Sequence, residues 1–164
     1  MTVECFLDTN ILIYAALGRE MEEAKRKAAN ELIAAANFGL SGQVMQEFYA
    51  VATRKTNQPL TPVEALEWIE LLETFPCAPV DTSLVKRGAE ISVRYRITPW
   101  DGTIIAAAEL LGAGTLYTED LNHGQRYGSV QVQNPFNHSP LSGGFHEEAA
   151  AFREASPTAS QPTE

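Results

Sequence analysis

The chain has 164 residues, 45% of them apolar, and a formal charge of −9, which fits one globular domain with a sizeable core better than two. No apolar stretch reaches the roughly 20 residues of a bilayer-crossing helix and no basic-then-apolar leader is seen, so a soluble, cytoplasmic protein with no membrane partner is expected. The acid excess argues at first sight against a phosphate-binding surface, but Glu147, Glu148, Glu154 and Glu164 against Arg153 place −3 of it in residues 138–164, and a bound cation would offset part of the rest.

In chain order, VECFL (3–7) reads as a short buried strand that closes on Asp8. A carboxylate at the tip of a core strand loses hydration and needs compensation from hydrogen bonds or an opposite charge. ILIYAALG then leads away toward Gly18. Residues 21–36 predict a helix, with strong helix formers, acids in the first turn and Gly39 just beyond. Ser41 is the expected N-cap of the next helix, which sets Val44, Phe48 and Val51 on one stripe with Glu47 beside it. Thr61, Pro62 and Glu64 form a capping-box start; behind them Leu66, Ile69 and Leu72, widened by Trp68, Leu71 and Phe75, suggest contacts on two sides, either in the core or at a subunit interface. CAPVD is a strand, TSLVKRGAEISVRY a helix, and TPWDGTIIAAAELLGAG a second helix ending at Gly112 or Gly114. TLYTED and VQVQN complete the strands. Cys5 and Cys77 fall in apolar, strand-like runs and are expected to be buried, reduced thiols rather than a disulfide.

Strands alternating with helices predict an α/β fold with a mainly parallel sheet covered on both faces. No internal repeat is present. After Phe136 the composition turns to Ser, Pro, Gly and Ala, so residues 1–137 are expected to form the domain and 138–164 a flexible tail, within which FHEEAAAFREA has the pattern of one marginal helix.

In such a sheet the functional crevice lies outside the carboxyl ends of the strands. Asp8 and the Glu119–Asp120 pair follow strands, and Glu47 and Asp101 lie near helix N-termini, so acids from distant segments converge on one rim. Each has a local explanation when taken alone: Asp101 as N3 of a capping box begun by Thr98, Glu47 as a solvated helix acid, the others as turn residues. Together they are harder to explain, because each is flanked by apolar sequence. Two carboxylates about 4 Å apart repel by roughly 4 kcal/mol at an effective dielectric near 20, and a stability of about 5 to 15 kcal/mol does not carry several such pairs unaided. Protons or cations must be bound, and an all-oxygen donor set suits Mg²⁺ or Mn²⁺.

FLDTNILIY, Glu47 in QVMQEFY, PWDGTIIAAAELLGAGTLYTEDL and the closing VQVQNPF together resemble the PIN-domain ribonuclease family, particularly the VapC-type toxins of bacterial toxin-antitoxin pairs. The resemblance covers residues 3–137. It implies a three-layer fold with a central, mainly parallel sheet of about five strands flanked by helices. It also implies metal-dependent hydrolysis of RNA phosphodiesters, a cognate antitoxin and a homodimer. Asp8, Glu47 and Asp101 match the family's principal acids, Asp120 the fourth, and Asn10 and Thr118 the polar residues that support them. Asp120 is preferred to Glu119 because adjacent residues of a pleated strand point to opposite faces. The acids would hold Mg²⁺ or Mn²⁺, which lowers the pKa of a bound water and stabilises an in-line displacement. His123, His138 and His146 are too scattered for a ligand set, while Arg94, Arg96 and Arg126 are candidates for phosphate contacts or simply solvated. Phospho-aspartyl enzymes are the rival class, but they need a late lysine and Lys86 is the last in the chain. A catalytically inactive PIN-like RNA- or protein-binding module is the non-enzymatic alternative.

Overall fold

Cys5, Phe6 and Leu7 are all buried, and a strand with no exposed side chain must be covered on both faces. The computed structural model describes residues 2–17 and 22–137; Gly18, Met21 and the segment 138–164, with His138 and His146, lie outside the described residues.

Strand β1 (Cys5–Leu7) runs into helix α1 (Thr9–Leu17), followed by α2 (Glu23–Ala35), β2 (Phe38–Ser41), α3 (Gly42–Arg54), α4 (Pro62–Leu72), β3 (Cys77–Ala78), α5 (Thr82–Tyr95), α6 (Pro99–Leu110), β4 (Thr115–Tyr117), β5 (Arg126–Tyr127) and β6 (Val130–Gln133). The strands form a six-stranded sheet in the order β3-β2-β1-β4-β6-β5. All neighbours are parallel except β5, which pairs antiparallel with β6. The mixed α/β fold and mostly parallel central sheet agree with expectation, but there are six strands rather than five.

The strands missed by sequence are the least periodic ones. FGLS is fully buried, so it shows no alternation, and its last residue, Ser41, also caps α3 by accepting from the Val44 N–H at 3.3 Å. Gly39 is not a stop behind α2; it lies inside β2, where a Cβ would stand 2.5 Å from Leu111 Cδ1. β5 has only two residues and is fixed by its partner. Cys5 is buried and reduced as expected, but Cys77 is exposed, because β3 is the edge strand and only one of its residues faces the core.

Helix starts follow the sequence closely. Thr61 and Glu64 form a complete capping box on α4, Asp81 caps α5, and Thr98 caps α6. α6 ends at Leu110, and Gly112, at φ 72°, takes the left-handed turn after it. On α4, Trp68 and Ile69 pack on the core while Val63, Leu66 and Leu71 stay exposed. Helix α1 packs on α2 and α3, α3 on α4, and α5 on α6. The last contact is unusually close: a Cβ on Gly102 would run into the Gly88 carbonyl oxygen, and one on Gly88 would stand 2.7 Å from Thr103 Cα. Two glycines therefore set where the N-terminus of α6, and Asp101 with it, meets the sheet edge.

Candidate active site

The parallel register pairs Leu7 with Tyr117, so the residues that follow, Asp8 and Thr118, leave adjacent strands side by side. Asp8 is 7% exposed and Thr118 is fully buried. The Thr118 hydroxyl donates to Asp8 Oδ2 at 2.8 Å, and the Thr9 N–H donates to Asp8 Oδ1 at 2.7 Å. Those two bonds compensate the strand-tip carboxylate only in part. Burial pushes the Asp8 carboxyl up to about 7 and the charge of Asp120 adds to that; the bonds from Thr118 and Thr9 pull it down, and Glu47 adds a smaller push upward.

Thr118 is a hub. Besides donating to Asp8, its hydroxyl oxygen accepts from Asn10 Nδ2 at 3.2 Å and from the Asp120 N–H at 3.1 Å. Asn10 Nδ2 also donates to Asp120 Oδ2 at 3.2 Å, while its buried Oδ1 has no hydrogen-bond partner. Asn10 and Thr118 thus tie the ends of β1 and β4 together.

Glu47, half-buried in the second turn of α3, accepts from Gln43 Nε2 at 3.1 Å and from the Thr9 hydroxyl at 3.3 Å. Gln43 Nε2 also donates to the Trp100 carbonyl at 3.2 Å, which joins α3 to the first turn of α6. There the Thr98 hydroxyl donates to Asp101 Oδ2 at 2.7 Å and accepts from the Asp101 N–H at 3.1 Å. Thr98 caps the helix, whereas the Asp101 carboxylate accepts from the Thr98 hydroxyl rather than closing a capping box, and it also lines the cavity.

Asp8, Glu47, Asp101 and Asp120 line one cavity of about 650 Å³ together with Gln43 and Trp100. A neighbouring cavity of about 410 Å³ shares Asp101 and Asp120 and is also lined by Arg96, Asn122 and Tyr127. Glu119 turns the other way. Its carboxylate accepts from Lys25 Nζ at 3.2 Å and from the Tyr14 hydroxyl at 2.9 Å. Of the three arginines, Arg96 alone borders the cavities; Arg94 lies over the Tyr95 ring and Arg126 donates to the Ser129 carbonyl. His123 Nδ1 accepts from the Asn134 N–H.

Among the described residues, no three His, Cys, Asp or Glu side chains converge as a ready-made ligand set. The carboxylates face one cavity without closing on a point. This still fits a hard cation that keeps several of its waters and reaches some carboxylates through them. The four carboxylates that line the cavity offer only oxygen donors, and the buried Asn10 Oδ1 has no hydrogen-bond partner. Sequence reading missed Thr9 and Gln43. Gln43 was findable, because it stands four residues before Glu47 on the same helix face; Thr9 was not, since its contact depends on how α1 packs against α3.

The sequence model of the PIN domain matches residues 5–128. Comparison with curated proteins finds no match. Solved structures with a similar fold include a toxin-antitoxin complex from Klebsiella pneumoniae, at 20% identity and TM-score 0.60 over 80% of this chain and 97% of that one. A second is the sarcin-ricin loop cleaving toxin VapC20 of Mycobacterium tuberculosis, at 20% identity and TM-score 0.58 over 71% and 91%. A third is a DNA-bound VapBC from Salmonella typhimurium, at 19% identity and TM-score 0.56 over 82% and 99%.

Proposed function

The chain belongs to the PIN-domain family, and on that premise we propose that it is a metal-dependent endoribonuclease, the toxin of a toxin-antitoxin pair, hydrolysing RNA phosphodiester bonds in the cytoplasm. The observation that carries this reading is the lining of one cavity by Asp8, Glu47, Asp101 and Asp120, with burial and mutual repulsion holding Asp8 up at about 7. Carboxylates in such a place need a counter-charge, and a phosphodiester needs one to approach them.

Asp8, Glu47, Asp101 and Asp120 would hold Mg²⁺ or Mn²⁺, directly or through waters that the ion keeps. When bound, the ion supplies an activated water and neutralises charge built up on the phosphate. Gln43 and Thr9 each donate to one oxygen of Glu47 and hold its carboxylate at the cavity wall. Asn10 and Thr118 hold Asp8 and Asp120 in register. The nuclease unit is residues 1–137. Several similar structures are toxin-antitoxin complexes, which supports a cognate antitoxin as partner. The uncovered Val63, Leu66 and Leu71 on α4 support a homodimer.

The test is incubation of purified protein with a mixed RNA pool and Mn²⁺, Mg²⁺ or chelator, comparing wild type with Asp8→Asn. Degradation should require the metal and the carboxylate; equal degradation in every arm would remove the nuclease reading.

A further inference from the structure

Trp100 immediately precedes Asp101 in the first turn of α6, lines the carboxylate cavity, and is 66% exposed. An indole in that position contributes little to the core, so its place at the rim is not explained by packing. Its backbone is nonetheless fixed: Pro99 precedes it at the start of the helix, Thr98 caps the helix, and Gln43 Nε2 holds its carbonyl at 3.2 Å. Trp100 shares the lining of this cavity with Asp8 and Glu47. On the far side of Asp101 and Asp120, the second cavity brings Arg96 to the same carboxylates.

This chain carries a formal charge of −9 and gathers acids where a phosphate must enter. General attraction for a polyanion is therefore weak, and a substrate strand needs contacts that do not depend on charge. Stacking of a base on an aromatic face is such a contact, and every base offers it.

Resting on the nuclease reading above, we infer that Trp100 binds a nucleobase of the substrate by stacking, next to the phosphate cleaved at the shared wall of the two cavities, with Arg96 taking a neighbouring phosphate on the other side. A base in a duplex has both faces already covered, so the ring takes an unpaired nucleotide.

The test uses the full chain with a short single-stranded RNA, and the same RNA in a duplex, in the Asp8→Asn background so that the RNA survives. The protein has two tryptophans, Trp68 and Trp100, and Trp68 packs against Phe48, so quenching that is lost in Trp100→Phe belongs to Trp100. Single-stranded RNA should quench tryptophan fluorescence and the duplex should not. Trp100→Ala should weaken binding by about 5- to 150-fold, while Trp100→Phe keeps most of the affinity. Thermal midpoint and Mn²⁺ affinity should stay unchanged in both variants. With the catalytic carboxylate restored, Trp100→Ala should raise KM with little change in kcat. Wild-type RNA affinity in Trp100→Ala, binding without quenching, or equal quenching by the duplex would overturn the inference and leave the nuclease reading standing. Loss of antitoxin or dimer binding in Trp100→Ala, with RNA affinity intact, would likewise overturn it in favour of a protein contact. Failure of the wild type to cleave any RNA overturns the earlier reading and this one together.

Discussion

Lys25 and Glu119 form a part-buried ion pair, Nζ to Oε2 at 3.2 Å, at the back of the loop whose next residue, Asp120, lines the cavity. Tyr14 donates to the same carboxylate, Glu22 stands 2.9 Å from the ammonium, and the Tyr14 and Phe136 rings lie 4.7 and 5.5 Å from it. Burial opposes the charge on Lys25, but the hydrogen bonds to Glu22 and Tyr14 and the charge of Glu119 outweigh it and hold Lys25 above its ordinary value. The pair keeps Glu119 turned away from Asp120.

Lys25→Met should destabilise the fold by about 1–3 kcal/mol, because a part-buried carboxylate loses its counter-charge and keeps only the Tyr14 hydroxyl. Glu119→Gln should cost less, since the amide oxygen still accepts from Tyr14. Denaturant midpoints at constant m-value check the order, and equal losses would show that the pair is solvated.

Asp8→Asn should abolish cleavage and yet stabilise the metal-free protein at pH 8. The folded carboxyl titrates at about 7 against an ordinary 3.8. Between those values the native state holds a proton that the unfolded chain has lost, so stability falls as pH rises through that window and stays low above it. The amide removes this cost, worth a few kcal/mol, and sacrifices about 1 kcal/mol of hydrogen bonding. The gain should vanish at pH 4. Adding Mn²⁺ to the wild type should raise its stability by about 2.7 kcal/mol at a hundredfold excess over Kd, and do less for the variant. A thermal midpoint for Asp8→Asn below that of the metal-free wild type at pH 8 would contradict the electrostatic account.

Thr118→Val keeps the shape and deletes the hub. It should cost about 1–3 kcal/mol. Losing the bond that pulls the Asp8 carboxyl down should also move the acid limb of the cleavage profile to higher pH. An unmoved limb would mean that Asp8 is not the group titrating there.

Gly102→Ala places a methyl against the Gly88 carbonyl. Overpacking of this kind costs about 1–3 kcal/mol. Because the strain falls one residue from Asp101, cleavage should drop further than the stability loss explains, seen as a lower kcat in protein that remains folded. The reverse change at an exposed point of α5, Val93→Ala, should alter neither.

Much of the local structure was legible from sequence because it is decided locally. Thr61 with Glu64 marks its own helix start, and the alternation of VQVQ marks a half-buried strand. β2 was hidden by complete burial and β5 by its length, so both exist only through their neighbours. Exposure of Cys77 likewise follows from its edge position in the sheet, a property that its apolar flanks do not reveal.

The sequence by itself determined the kinds of side chain delivered to the sheet edge, because a run of buried strand followed by an acid must put that acid at the strand's end. Only the tertiary structure decided how they are used there. The rise of Asp8 to about 7 comes from desolvation by the surrounding core, and the withdrawal of Glu119 depends on Lys25, 94 residues earlier in the chain. Both effects are sums over atoms remote in sequence, and they exist only once the chain has closed around them.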